Sequence, residues 1–309
     1  RQMQVPFVIY IDFESFLNPV SGQGRVCDVH EPSGFCMYRV SQWKDYDKEP
    51  IVYSGHEDGN GVMDKFFECL MKERREINDI LTRSMKMEVL TPEQQMKYDK
   101  NKTCPYCQKA FTNKNHKVRH HSHMTGEYVG PCCNNCNLQL KLMKRKGEGN
   151  SRDEFFIPVV AHFMKGYDSH IILKHLRRAS IEDGDKITVI PTNTEQFISF
   201  SIGNLRFIDS CQFLTSSLDN LTTVLLKSGS DKFHHTRRHI DGKIEDRLVF
   251  QKGVYPYEFM TDKSKFDLTE LPPKEAFYSK LAESELTDQE YERAKEVWRV
   301  TGCQTMQDY

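Results

Sequence analysis

Four cysteines in two pairs are the residues of this chain whose type and spacing most clearly define chemistry. Cys104 and Cys107 form one Cys-x-x-Cys pair, and Cys133 and Cys136 form a second. Four thiolates in this arrangement suit tetrahedral Zn²⁺, so we expect a structural zinc site here and Cys132 as a bystander. Because a segment this short and polar has little core, bound metal would supply most of its folding free energy, on the order of 10 kcal/mol.

Three histidines and an asparagine accompany the cysteines. His120, His121 and His123 precede the second cysteine pair, and Asn137 directly follows it. A neutral imidazole can take a proton from water near pH 7, and a cation beside it stabilises charge that develops on a phosphate. The residues therefore suit metal-dependent hydrolysis. The alternative is that the histidines only pack or form hydrogen bonds within a zinc finger.

Two further acids end an apolar stretch near the start of the chain, VPFVIYIDFES. We expect a strand that is buried on both faces in the middle of a sheet. Asp12 and Glu14 would then point to one side, roughly 7 Å apart. That separation suits a pair of divalent cations about 4 Å apart. Solvated acids at a strand end are the alternative.

A third candidate acid, Asp168, lies far along the chain. It follows FFIPVVAHF, a predicted strand, and precedes a predicted helix. A carboxylate at a strand-to-helix junction can reach the ends of neighbouring strands. A helix-capping aspartate would give the same pattern. Asp209 follows a predicted hairpin with its turn at Gly203 and Asn204, and it is a candidate to cap or brace the adjacent turn.

The remaining periodicities predict elements that alternate between strand and helix. Antiparallel strands are predicted at Phe35–Val40 and Ile51–Tyr53, after a Gly-, Pro- and Ser-rich loop at residues 18–33. A helix is predicted from Val62, with the charged residues 72–76 on its solvated surface. Capped helices are predicted after Thr91, Ser217 and Thr287, and residues 254–281 are predicted to form an extended, ordered arm.

Charge identifies a local patch rather than an overall property. The net charge is −1, yet residues 100–146 contain ten Lys or Arg against one acid, Glu127. Such a patch is typical of phosphate binding. The candidate contacts are Lys117, Arg119, Lys141, Lys144, Arg145 and Lys146. No membrane span or secretory signal is recognisable, so we predict an intracellular protein of the nucleus or cytoplasm.

The segment RHHSHMTGEYVG between the cysteine pairs resembles the endonuclease VII branch of the His-Asn-His nucleases. The resemblance implies a ββα hairpin and helix held by zinc, with His121 activating water. It also implies that His120 and Asn137 hold a divalent cation and that His123 assists. Relatives usually have Asp where this chain has His120.

The segments VIYIDFES and AHFMKGYDSHIIL resemble the first and second exonuclease motifs of protein-primed family B DNA polymerases of the viral and Maverick or Polinton type. The resemblance implies that Asp12, Glu14 and Asp168 bind two Mg²⁺ or Mn²⁺ ions that hydrolyse a 3′ terminal nucleotide. It also implies single-strand contacts at Ser210 and a phosphate contact at Lys252. Relatives often have Asn at the position of Phe163.

Together these resemblances predict an α/β, RNase H-like 3′–5′ exonuclease fold that carries an inserted zinc ββα module. The expected parts are residues 1–101, the module at 102–148, and residues 149–309. The expected partner is DNA, as single-stranded 3′ ends and as branched or duplex DNA. The third exonuclease motif, Tyr-x-x-x-Asp, is not found, so we expect it and the polymerase domains beyond Tyr309. The rival prediction is a non-catalytic, zinc-containing DNA-binding protein derived from such a polymerase.

Overall fold

The computed structural model describes residues 5–19, 28–55, 59–83, 85–140, 155–178, 185–193, 197–240, 242, 244–280 and 282–309. They form a mixed α/β structure with a large mixed sheet, which confirms the predicted α/β class. The chain divides into two compact units. One contains residues 6–70 and 158–309, and the other contains residues 1–5 and 71–157.

A seven-stranded sheet is the centre of the larger unit, with the strand order β3-β2-β1-β6-β9-β8-β7. The strands are β1 (Phe7–Pro19), β2 (Asp28–Ser41), β3 (Ile51–Ser54), β6 (Ile157–Ala161), β7 (Ile187–Pro191), β8 (Phe197–Ile202) and β9 (Leu205–Asp209). β1 is antiparallel to β2 and parallel to β6. The first acid-bearing strand is therefore central, as predicted.

One face of β1 is buried and the other is open. Ile9, Ile11 and Phe13 are at most 5% exposed, whereas Tyr10 is 47% exposed. The helix α1 (Gly59–Thr82) covers the buried face, where the Phe66 ring lies 4.7 Å from that of Phe13. The expectation of a strand buried on both faces is wrong, because strand residues alternate between faces and only one face is covered here.

The helices predicted from Val62 and near Thr91, Asp168, Ser217 and Thr287 form close to their predicted boundaries, and two short helices between residues 234 and 249 were not predicted. Besides α1, the helices are α2 (Pro92–Lys100), α3 (Asn134–Gln139), α4 (Asp168–Lys174), α5 (Leu218–Leu226), α6 (His234–Arg237), α7 (Asp246–Val249) and α8 (Asp288–Thr301). Capping boxes form at Thr91 with Gln94 and at Thr287 with Glu290, and Ser217 caps α5. α8 ends at Gly302, whose φ of 72° lies in the left-handed region that glycine tolerates.

Two local predictions are wrong. Residues 28–33 belong to β2 rather than to a loop, because Ser15–Pro19 of β1 pair with them after an irregularity in register. Glu73 and Arg74, predicted on a solvated helix face, are 3% and 2% exposed. The predicted arm is ordered and contributes Met260 and Phe266 to a buried cluster with Phe16.

Besides the end of α1, the described part of the smaller unit contains a two-stranded sheet and the short helices α2 and α3. β4 (Lys117–His121) pairs antiparallel with β5 (Tyr128–Cys133), and α3 begins directly after β5. The unit therefore contains a ββα sequence of elements. One buried cluster of this unit is formed by cysteines, with Cys104, Cys132 and Cys133 at most 1% exposed.

Candidate functional sites

Four cysteines of the ββα unit converge on one point. The Sγ atoms of Cys104, Cys107, Cys133 and Cys136 all lie within 4.8 Å of one another. A Zn–S bond of about 2.3 Å in a tetrahedron places sulfurs about 3.8 Å apart, and the Cys107 and Cys133 Sγ atoms are 3.8 Å apart. The donors and their spacing therefore fit Zn²⁺. Cys132 lies outside the group, as expected.

Backbone N–H groups orient the cysteine sulfurs. The N–H groups of Cys133 and Cys136 point to the sulfurs of Cys104 and Cys133, each at 3.4 Å. Burial raises the pKa of the Cys104 thiol, but hydrogen bonds from backbone N–H groups outweigh burial and lower the pKa to about 6. Burial and the neighbouring thiolates instead raise the pKa of Cys132 to about 12. The unit thus favours thiolate at Cys104, whereas burial and hydrogen bonds with the neighbouring cysteines raise the pKa of the Cys136 thiol in the absence of metal.

The first cysteine pair lies on a tight turn. The Cys104 carbonyl accepts the Gln108 N–H at 2.8 Å, and the Cys104 N–H donates to the Lys109 carbonyl at 2.8 Å. This closure requires a left-handed backbone at Gln108, with a φ of 62°. The turn directs both sulfurs of the pair inward.

His120 and Asn137 meet beside the cysteine group. His120 lies on β4 opposite Gly130, and Asn137 lies on α3, one residue after Cys136. The His120 Nδ1 is 2.8 Å from the Asn137 Oδ1. If Nδ1 is unprotonated, its lone pair and the Asn137 oxygen have the spacing of two adjacent ligands of one cation, because ligand bonds of about 2.1 Å at a right angle place their atoms about 3 Å apart. An imidazole nitrogen and an amide oxygen suit a divalent cation.

His121 and His123 form a second contact on the same hairpin. Their rings lie 4.7 Å apart at an angle of 37°. The register of β4 and β5 shifts between His120 and His121, which changes the direction in which successive side chains point. All three predicted histidines are therefore held within one hairpin.

The hairpin loop is fixed by a neighbouring segment of the chain. The Met85 N–H donates to the His123 carbonyl at 2.8 Å, and the Glu88 N–H donates to the Gly126 carbonyl at 2.9 Å. Gly126 has a φ of 79°, and a Cβ there would lie 2.6 Å from the Lys86 carbonyl oxygen. Only glycine fits this approach.

The basic candidates in this unit differ in what their side chains contact. The Lys117 ammonium donates to the carbonyls of Tyr98 and Asn101 and lies 4.3 Å from the Tyr98 ring centroid. Desolvation lowers its pKa. Arg119 is exposed and contacts Gln95 at 3.2 Å. The other four candidates, Lys141, Lys144, Arg145 and Lys146, lie outside the described residues.

The three candidate acids of the larger unit lie close to one another beside β1. Because β1 and β6 are parallel with Tyr10 opposite Val160, the end of β6 reaches the level of Asp12. Asp168 is the first residue of α4 and is only 2% exposed, whereas Asp12 and Glu14 are exposed. Tyr167, rather than Asp168, occupies the cap position of α4. The arrangement does not favour a capping role for Asp168.

The carboxylates of this acid group are electrostatically coupled. Burial and repulsion from Asp12 raise the pKa of Asp168 to about 7. Glu14 keeps some exposed surface, but the protein around it desolvates its carboxylate, and this desolvation and repulsion from Asp12 raise its pKa to about 7. Desolvation also raises the pKa of Asp12. Among the described residues, the buried Asp168 Oδ1 has no hydrogen-bond partner. Carboxylates held together in this way fit hard cations such as Mg²⁺ or Mn²⁺.

The acid group is more open than the cysteine group. Within the described part of the chain, the four cysteines are the one set of His, Cys, Asp or Glu close enough to surround a single ion directly. Tyr167 and Tyr257, which the sequence did not single out, also lie near the acids. Burial, followed by the charge of Glu14, raises the pKa of Tyr257 to about 12. In the sequence, the position of Tyr167 directly before Asp168 could have indicated that Tyr167 lies near the acids.

Asp209 and Ser210 point into the protein. The Asp209 carboxylate accepts the backbone N–H groups of Phe163 at 3.0 Å, Lys165 at 2.9 Å and Cys211 at 2.9 Å. It therefore caps its own adjacent turn through Cys211, as predicted, and it also braces the turn between β6 and α4, which was not predicted. Ser210 is 7% exposed, and its Oγ lies 3.2 Å from the Ala161 carbonyl oxygen and 2.8 Å from the His162 Nδ1.

A cleft of about 990 Å³ extends from Asp12 and is lined by Phe163, Ser217 and Lys252, among others. The Lys252 side chain is exposed, while its backbone N–H donates to the Asp219 carboxylate at 3.0 Å. Lys252 therefore offers a cation within the same cleft as Asp12.

One known protein family is similar in sequence to most of the smaller unit. Residues 81–155 match the model of the recombination endonuclease VII family, and this range includes β4, β5, α3 and the four cysteines. The chain thus contains an endonuclease VII-like module. No curated protein and no solved structure gives a significant match. No helix in the described ranges is long and apolar enough to cross a membrane.

Proposed function

We propose that the protein is a metal-dependent DNA nuclease whose ββα module hydrolyses phosphodiester bonds. The match of residues 81–155 to recombination endonuclease VII supports this class of substrate and reaction. The observation that carries the proposal is the 2.8 Å contact between His120 Nδ1 and Asn137 Oδ1 beside four converging cysteines.

Each group in this module has a defined role in the proposed hydrolysis. His121 takes a proton from the attacking water, and His123 supports its orientation through their ring contact. His120 and Asn137 would hold Mg²⁺ or Mn²⁺, which would stabilise charge on the phosphate. Arg119 contributes phosphate contact from the exposed side of β4. The four cysteines would hold Zn²⁺ and so would keep β5 and α3 in place beside β4.

A second activity, 3′–5′ exonuclease, is proposed for Asp12, Glu14 and Asp168 in an RNase H-like fold. The buried Asp168 Oδ1 without a described partner supports it, because an unpaired buried acceptor is costly unless a ligand or cation satisfies it. The resemblance to protein-primed family B polymerases implies the same site. We propose that residues 1–101 and 149–309 form the two parts of the exonuclease domain and that residues 102–148 form the inserted zinc module. We also propose polymerase domains in a longer parent chain.

The competing proposal is a DNA-binding protein that has the zinc module without chemistry. The basic patch around Arg119 would serve both functions, whereas cleavage requires the histidines or the acids. Cleavage of labelled single-stranded, duplex and branched DNA with Mg²⁺ or Mn²⁺ separates the two proposals.

Single-residue variants show which of the two proposed sites carries out each kind of cleavage. We expect His121→Ala to abolish internal cleavage and Asp12→Asn to abolish release of 3′ nucleotides. His116→Ala in the same module and Asp45→Asn in the larger unit are matched controls, because both side chains are exposed. If neither His121→Ala nor Asp12→Asn changes the cleavage of any substrate, the nuclease proposal is wrong.

A further inference from the structure

Cys36 lies directly opposite Asp12 on the open face of the sheet. β1 and β2 pair antiparallel with Cys36 opposite Asp12, and Tyr38 opposite Tyr10 on the same face. Directly opposed residues of such a pair have Cβ atoms about 4.5–5.5 Å apart. The Cys36 thiol and the Asp12 carboxylate are therefore neighbours, although the two residues are far apart in the chain.

Two electrostatic observations connect this thiol with the acid group. Cys36 is a free, half-buried cysteine, and burial followed by the charge of Asp12 raises the pKa of its thiol. The charge of Asp12 also reaches Asp168, whose buried Oδ1 has no hydrogen-bond partner among the described residues. A cation beside Asp12 would offset the repulsion at both neighbours and give the Asp168 oxygen a polar environment.

The sulfur decides which cation suits this position. Mg²⁺ and Mn²⁺ prefer oxygen ligands, whereas Zn²⁺ binds both thiolate sulfur and carboxylate oxygen. A thiol that coordinates Zn²⁺ loses its proton, even where burial otherwise favours the protonated form. Binding at Cys36 would thus form one Zn–S bond and release the thiol proton to solvent.

We propose that Cys36 and Asp12 form a second zinc site, which withdraws Asp12 from the Mg²⁺ or Mn²⁺ site and so inhibits cleavage. This inference rests on the proposed exonuclease activity and adds Zn²⁺ as its regulator. Two protein ligands leave the other positions of the ion to water, and the Asp168 Oδ1 is available to such a water. The site is more open than the cysteine group and binds Zn²⁺ more weakly.

The direct test measures zinc binding to the full chain by equilibrium dialysis without Mg²⁺. In the wild type we expect one tightly bound equivalent at the cysteine group and a second, weaker equivalent. Cys36→Ser should weaken the second equivalent by roughly tenfold or more, because a hydroxyl is a far poorer zinc ligand than a thiolate. Cys36→His should retain it, because imidazole also binds Zn²⁺.

Cadmium NMR identifies the sulfur ligand. The chemical shift of ¹¹³Cd²⁺ depends on how many thiolates bind the ion, so an ion with one thiolate gives a resonance separate from that of the cysteine group. We expect this second resonance in the wild type and its loss in both Cys36→Ser and Asp12→Asn.

The matched control is Cys211→Ser. Cys211 is also a half-buried free cysteine of the larger unit, but its sulfur lies 3.4 Å from the His162 Nε2 and not opposite an acid. Melting temperatures of all variants verify folding. The inference is overturned if the wild type binds no second equivalent, if Cys36→Ser keeps it at unchanged affinity, or if Cys211→Ser loses it equally.

Cleavage of 3′ ends with Mg²⁺ separates this inference from the proposed function. Added Zn²⁺ should inhibit the wild type at concentrations that leave Cys36→Ser at its own uninhibited rate. If the wild type hydrolyses no 3′ end but Cys36→Ser loses the second zinc equivalent, the exonuclease proposal fails and the zinc site stands. If Zn²⁺ inhibits wild type and Cys36→Ser equally, the exonuclease stands and the zinc site fails.

Discussion

His120 on β4 and Asn137 on α3 bring their side chains to 2.8 Å, although neither residue belongs to the cysteine group beside them. Cys133 is the last residue of β5, which pairs with the strand that carries His120, and it is also the cap residue of α3. Zinc binding and the geometry of the proposed catalytic cation are therefore linked through a single cysteine.

Removal of the zinc ligand Cys107 should unfold the module. Because cysteines form one buried cluster of the module, we expect Cys107→Ser to lose bound zinc and a stabilisation on the order of 10 kcal/mol. Cys132→Ala should retain the metal, since Cys132 lies outside the group. Elemental analysis and amide hydrogen exchange over residues 104–140 measure the two effects. Equal zinc content in the two variants would contradict the four-cysteine site.

His120 and Asn137 should act as a unit. We expect His120→Ala and Asn137→Ala each to lower cleavage by about 100-fold, and the double variant to lower it little further, because either change removes the same cation. The Mn²⁺ concentration required for half-maximal cleavage should rise in both single variants. His116→Ala is the control. Additive losses would mean that the two side chains do not share an ion.

Lys117 and Arg119 should differ in stability and in DNA binding. Lys117→Ala removes hydrogen bonds to two carbonyls and should destabilise the module by about 1–3 kcal/mol. Arg119→Ala should instead weaken DNA binding and reduce its dependence on salt by about one unit of slope. Lys114→Ala, at an exposed position, is the control for stability. Denaturant titration and salt-dependent anisotropy measure these effects; a loss of stability in Arg119→Ala equal to that in Lys117→Ala would contradict the assignment.

Metal-free protein should lose stability as the pH rises. Asp168 titrates at 3.8 when unperturbed and at about 7 in the fold, so the folded state retains a proton that the unfolded chain releases. Stability is then greatest below about pH 4, decreases up to about pH 7, and stays lower above it, by about 4 kcal/mol at most.

Asp168→Asn tests this pH dependence. It should raise the melting temperature at pH 8 without metal, and it should reduce the stabilisation that Mg²⁺ or Mn²⁺ gives to the wild type. Asp45→Asn should do neither, because Asp45 is an exposed acid of the same unit. A wild-type melting temperature that increases from pH 5 to pH 8 without metal would exclude the proposed coupling of the acids.

Asp209 should contribute more to the free energy of unfolding than Asp219 does. Its buried carboxylate accepts three backbone N–H groups, so Asp209→Ala should cost about 3 kcal/mol. The exposed Asp219 accepts one such bond, and Asp219→Ala should cost less than about 1 kcal/mol. Urea titration compares the two variants, and equal losses would show that Asp209 does not brace the turn.

The sequence was sufficient to predict features that depend on residues close together along the chain. The capping boxes at Thr91 and Thr287 depend on residues three positions apart, and the spacing of the four cysteines indicates a zinc site. The exposed face of β1 was not predictable in this way. Its apolar run is nearly continuous, and the packing of α1 against one face decides that Phe13 is buried while Tyr10 is open.

By itself, the sequence determined the metal-binding residue types, the caps, the hairpin turns and the candidate acids, because each depends on neighbours along the chain. Tertiary structure decided which candidates meet. It paired His120 with Asn137, turned Ser210 inward, committed Lys117 to two carbonyls, and fixed Phe163 beside the Asp12 cleft. These outcomes depend on register, burial and hydrogen bonds between residues distant in the chain, which residue type and spacing do not specify.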